Sequence, residues 1–203
     1  ISRGDWSSDV CSSDLMAFIL LDKGVKALFD PTAFENIKVV IEGDIYERDL
    51  SGEIIVIDRN DWINAAKLSR KYEISFTKKD YEPKLLSAMM TIEAGLENLS
   101  AELLESVNAK QLAGCKVNIS FSLQHNDEMI VFKEVQKGLE EIWGRDRAIV
   151  QTALLDPMVD KPTIKSHVQV SFNRLVYEEQ IDDLSEMVNY MIASLEKLKK
   201  IIE

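Results

Sequence analysis

The chain has 203 residues, 46% of them hydrophobic, enough to bury a sizeable core as one domain or as two small ones. Its formal charge is -11, and its basic clusters (Lys67 with Arg70 and Lys71, and Lys197 to Lys200) are short and interrupted by apolar residues, so neither nucleic acid nor an anionic membrane is an expected partner. The two cysteines, Cys11 and Cys115, form no CxxC pair, and the longest apolar run, Leu15 to Leu21, falls far short of the roughly 20 residues of a bilayer span, which together predict a cytoplasmic protein.

Ile1 to Leu15 is set aside from the fold, because Ser7-Ser8-Asp9 recurs as Ser12-Ser13-Asp14 with no amphipathic period around either copy. Cys11 to Leu15 is one translation of a common sequencing-adapter end, and Asp5 to Leu15 resembles read-through of such DNA; a disordered polar leader is the alternative. Without this stretch, which holds three Asp and one Arg, the charge is about -9, and either Met16 is the true start or the real N-terminus is missing from the sequence.

Residues 16–112 read as an antiparallel, β-rich half. Met16 to Asp30 is expected to hold a short helix ending before Pro31. Ile37 to Glu47 and Glu53 to Asp58 are β-branched and apolar, and Asp49-Leu50-Ser51-Gly52 between them has turn chemistry, which predicts a hairpin. Asp61 to Arg70 is expected as a short helical or irregular connection, and Tyr72, Ile74 and Phe76 alternate as the next strand. Lys84 to Ser106 fits one long amphipathic helix by its leucine spacing. Thr91, Ile92 and Gly95 count against that, and the alternation of Met90, Ile92 and Ala94 favours a strand followed by a helix from about Glu97 to Ser106.

Residues 113–203 read as β-α-β-β-α and are expected to pack with the first half as one globular unit. Val117, Ile119, Phe121 and Leu123 alternate with Asn118, Ser120, Ser122 and Gln124. His125-Asn126-Asp127 offers N-caps for a helix with Phe132, Val135, Leu139, Ile142 and Trp143 on one face and Gly144 at its end. Arg147 to Leu155 is a strand stopped by Asp156-Pro157, and Val168, Val170 and Phe172 mark another. In the last helix Ile181, Leu184, Val188, Met191, Leu195, Leu198 and Ile202 fall at steps of three and four on one stripe, with acidic residues in its first turns and lysines near its end. The fold class is α+β: a largely antiparallel sheet with amphipathic helices on one face.

The order strand, helix, strand, strand from Lys116 to Leu175 carries Val117-Asn118-Ile119, Phe132-Lys133-Glu134-Val135 and Val168-Gln169-Val170-Ser171. In this it resembles the activation domain of bacterial tubulin-like division proteins. The glycine-rich phosphate loop of that family is absent, so the resemblance implies a topology for about sixty residues and no GTPase activity.

The inventory for catalysis is thin. His125 and His167 are the only histidines, both at strand edges, and they would meet only if their strands are antiparallel neighbours. Cys115 begins a strand with no histidine close by and reads as a small buried hydrophobe. Asp58-Arg59-Asn60-Asp61 lacks the glycine and distal glutamate of a calcium loop and reads as a helix N-cap. No phosphate loop, zinc-protease or nucleophile-elbow motif occurs, so no cofactor or metal is expected.

Two surfaces are candidates for association instead. One is the C-terminal stripe, if it is not spent on its own sheet, where it would serve a partner or a second copy. The other is the short uncharged polar face that includes Ser120 and Ser122 on one strand and Ser171 and Asn173 on another. A non-enzymatic association module, acting through protein-protein contacts as a possible homodimer or an accessory part of a complex, is therefore the expected function. The alternative is an enzyme or small-molecule-binding protein with a cleft between the halves that uses His125 and His167.

Overall fold

The computed structural model of the chain describes residues 33–102, 111–155, 158 and 163–203. The elements in order are α1 (Ala33–Ser51), β1 (Ile54–Asn64), β2 (Ser69–Lys78), β3 (Leu86–Ala94), α2 (Leu96–Ala101), β4 (Cys115–Asn126), α3 (Met129–Trp143), β5 (Ala148–Leu154), β6 (Thr163–Val176) and α4 (Ile181–Ile202). One six-stranded sheet runs β1-β2-β3-β4-β6-β5, with every neighbouring pair antiparallel. It is continuous across residues 112 and 113, because β3 pairs with β4 from Leu86↔Leu123 to Glu93↔Lys116.

Alternation along each strand sorts side chains to the two faces. Tyr72, Ile74 and Phe76 of β2, Met90 and Ile92 of β3, Val117, Ile119 and Phe121 of β4, and Val168 and Val170 of β6 all point inward and are buried. Onto this face the helices bring Phe34, Ile37, Ile41 and Ile45 of α1, Val135 and Leu139 of α3, and Leu184, Val188, Met191, Leu195 and Leu198 of α4, completing a single core. The structure is thus an α+β protein with its helices on one side of an antiparallel sheet and a long C-terminal helix across it.

The segment from Ile37 to Glu47 is helix and not the expected strand. Phe34, Ile37, Ile41 and Ile45 recur at steps of three and four and are buried, while Val39 and Val40, which give the run its β-branched look, face outward. Burial of that stripe outweighs the weak local preference for strand. Asp49 to Gly52, expected as a hairpin turn, closes this helix. Gly52 N–H donates to the Asp49 carbonyl and Glu53 N–H to the Arg48 carbonyl, both at 3.0 Å, with Gly52 at φ +79°. That is a Schellman end, and its left-handed residue favours glycine.

Asp61 to Arg70 is likewise not a helical connection, since β1 runs on to Asn64 and β2 begins at Ser69. The alternating polar residues of β1 hid it: Arg59 pairs with Glu42, and Asp61 accepts from Lys38 at 2.9 Å, so both charged side chains turn toward α1. Met90, Ile92 and Ala94 do lie on a strand, followed by the short helix α2. His125 and Asn126 belong to β4, and the N-cap of α3 is Glu128, which makes no side-chain cap. The helix expected before Pro31 and the stop at Asp156-Pro157 lie outside the described residues.

Helix α4 packs beside α3. Trp143 Nε1 donates to Ser194 Oγ at 2.9 Å, and Ser194 Oγ donates to the Tyr190 carbonyl at 2.7 Å. At Gly138 an added Cβ would stand 3.1 Å from Ile201 Cδ1, so the missing side chain sets how closely the two helices approach. Leu195 is fully buried in the core and Val39 is 61% exposed. Urea unfolding should therefore show a loss of about 2–5 kcal/mol for Leu195→Ala and under about 0.5 kcal/mol for Val39→Ala.

Candidate functional site

The outward side chains of the sheet have no helix over them among the described residues. Cross-strand register arranges the middle of that face in three rows, each crossing four strands. The first is Thr91, Asn118, Ser171 and Ala148; the second is Met89, Ser120, Gln169 and Val150; the third is Ser87, Ser122, His167 and Thr152. These twelve residues include no Asp, Glu, Lys or Arg, in a chain that is 29% charged. With strands about 4.8 Å apart and same-face residues about 7 Å apart along them, the block measures roughly 15 by 15 Å between its outer Cα positions. Charge appears at its borders, in the row Lys71, Glu93 and Lys116 at one end and at Lys165 at the other.

Ser122 and Ser171 lie half-buried on this side of the sheet, whereas Ser120, only 6% exposed, and Thr91, 7% exposed, are buried within it. Asn173 lies at the margin of the block with φ +51°, where the β4–β6 register shifts between Lys116 and Asn118. The shift opens a surface hollow of about 400 Å³ lined by Lys116, Asn118, Ser171, Asn173 and Arg174 among others. A second hollow, about 640 Å³, lies between Trp62, Lys71, Glu93, Gly95 and Lys116, so Lys116 stands between the two. Ser87, Met89, Thr91, Ala148, Val150 and Thr152 are the residues of the block not singled out by sequence. Each strand alone displays its off-face residues; which strands lie side by side is a property of the fold.

The C-terminal stripe is placed elsewhere. Leu184, Val188, Met191, Leu195 and Leu198 have no exposed surface, and Ile181 and Ile202 pack against the same core at its rim. The helix covers its own sheet.

Strands β4 and β6 are antiparallel neighbours, as a meeting of the histidines requires, yet the two side chains lie on opposite faces. His125 pairs with Ile164 and points into the helical layer, whereas His167 pairs with Ser122 and points outward. His125 Nδ1 lies 2.7 Å from the Asn126 carbonyl, which can only accept, so Nδ1 carries the proton. Nε2 is then free to accept from Ser166 Oγ at 2.8 Å, while Phe132 packs edge-on at 4.9 Å. This serine-histidine pair matches the first two members of a nucleophilic relay, but Ser166 is fully buried and His125 is 4% exposed, which leaves no approach for substrate. Burial, aided by Lys165, holds His167 below the ordinary imidazole range, so it stays neutral within the uncharged block. Burial, with Glu102 adding to it, pushes the Cys115 thiol up to about 12, far from a reactive thiolate. No group of three or more metal-ligating side chains occurs among the described residues.

The densest charge lies at the other end of the molecule, between α1 and the β1–β2 pair. Glu35, Lys38, Asp61 and Arg70 form a closed set of ion pairs, with Arg70 stacked 4.7 Å over the Phe34 ring. Burial works against the carboxylates of Glu35 and Asp61, but hydrogen bonds from Lys38 and Arg70 outweigh it and lower both. Four groups that neutralise one another fasten a helix to a strand and leave little field for a ligand.

No protein-family model, curated protein or solved structure matches the chain. Among the described residues, no helix is long and apolar enough to cross a membrane.

His167, identified by the signal lost in His167→Asn, should titrate by NMR with a midpoint below 6.5. The unfolded chain takes up that proton more readily, so this group's contribution to stability falls as pH drops through 6.5. Mass mapping after alkylation at pH 8 should find Cys115 unlabelled in the native protein and labelled once urea unfolds it.

Proposed function

We propose that this chain is a non-enzymatic association module that works by protein-protein contact through the open face of its sheet. The supporting observation is the uncharged block of twelve residues from β3, β4, β6 and β5, bordered by charged rows. Non-obligate interfaces are depleted of charge at their centre and polar at their rim. The short Ser and Thr side chains of this face also lose less conformational entropy than long ones when a partner lies flat on them. The burial of the α4 stripe in the core favours this face over that helix as a contact. A cytoplasmic setting suits the free, buried thiol of Cys115. The alternative, a small molecule held between His125 and His167, has less support because the sheet lies between their side chains.

The double variant Ser122→Arg with Ser171→Arg places two guanidinium groups in the block at half-exposed positions. Its unfolding free energy should stay within about 0.5 kcal/mol of the parent. In cross-linking capture from cell extract, a protein held by the parent chain should be lost by the variant. Recovery of the same proteins by both would remove the reading.

A further inference from the structure

The two edges of the sheet are built differently. β1 carries Asp58, Arg59 and Asp61 and a register shift between Val56 and Asp58, features that blunt an edge against further strands. β5, Ala148–Leu154, is Ala-Ile-Val-Gln-Thr-Ala-Leu, with no charge, no proline and an unbroken register against β6. Val150 is 59% exposed and Leu154 57%. Among the described residues no further strand pairs with β5, so its outer backbone N–H and C=O groups form a template for strand addition.

We propose that β5 pairs antiparallel with β5 of a second copy of this chain, joining two sheets into one of twelve strands about a two-fold axis beside Gln151. Three features favour a second copy over another partner. Antiparallel pairing of a strand with itself is isologous and closes after two chains. β5 carries no charge, so this edge brings together two chains of net charge -11 without setting like charges directly opposite. The helix beside the edge also has complementary ends. Gln151 Nε2 donates to the Phe132 carbonyl at 3.0 Å and to Gln136 Oε1 at 3.1 Å, which places α3 above β5. Lys133, Gln136, Lys137 and Glu140 line the shallow trough between them. A two-fold axis passing by Gln136 sets Lys133 of each α3 against Glu140 of the other. Paired strands stand about 4.8 Å apart, closer than the 8–10 Å of packed helices, so the two α3 helices meet where each is set back from its edge strand.

The pairing is separate from the docking role proposed for the open face, and it sets two uncharged blocks side by side. With Gln151 at the axis, Val150 of one copy faces Thr152 of the other, and both side chains are exposed. Sedimentation equilibrium of the full chain should give twice the 23.1 kDa monomer mass. Val150→Lys with Thr152→Lys opposes four ammonium groups and should weaken dimerisation by about a hundredfold or more. Val150→Lys with Thr152→Glu sets opposite charges across the axis and should restore the dimer, while Ser122→Arg with Ser171→Arg should leave it in place. Far-UV circular dichroism confirms that each variant is folded. A monomeric parent, a dimeric Lys/Lys variant or a monomeric Lys/Glu variant overturns the proposal; loss of the dimer in the Ser122/Ser171 variant alone would assign the contact to the open face.

Discussion

Among the described residues, the three long helices are positioned by the need to cover one face of a sheet too broad for any one of them. α4 crosses the middle, contacting β2, β3 and β4, and α1 and α3 flank it, over β1 and β5 respectively. The stripe on α4 is widened by Met187 and Ile192 because it meets a surface and not another helix. Where α3 meets α4, the contacts are specific: Gly138 admits Ile201, and Trp143 ties to Ser194. Where α1 meets the sheet edge, burial gives way to ion pairs from Glu35, Lys38, Asp61 and Arg70. A helix at an edge strand has fewer apolar partners, and paired charge covers what the core does not reach.

The same sheet decides which polar groups can act together. His125 and His167 lie on neighbouring strands, three register positions apart, and an odd offset in a period of two sends them to opposite faces. One is locked by Ser166 and the Asn126 carbonyl, and the other stands among serines and threonines. Proximity along neighbouring strands thus implies a shared site only at even separation.

Much of the second half was legible in sequence because its periods are long and clean. Val117 to Leu123 and Val168 to Phe172 alternate without interruption, and the α4 stripe repeats over six turns. The first half misleads for an identifiable reason: Ile37 to Ile45 combines β-branched residues with a helical burial pattern, and only the face covered by the sheet settles between them. β1 was read too short because Arg59 and Asp61 face a charged helix, so its inward residues are not apolar. The polar character of Ser120, Ser122 and Ser171 was visible, but the uncharged block was not, since it depends on β3 and β5 lying to either side of β4 and β6.

The strand order also governs how the molecule can be assembled as it is made. β2, β3 and β4 each pair with the strand just before them, so the sheet can grow as the chain emerges. β5 breaks this sequence: among the described residues its one strand partner is β6, which is made later and must insert between β4 and β5. During synthesis, then, a seven-residue uncharged strand has no place in the sheet until residues 163–176 have left the ribosome. Over that interval it is the segment most open to pairing with a neighbouring nascent chain, and its exposure time is set by the rate of translation.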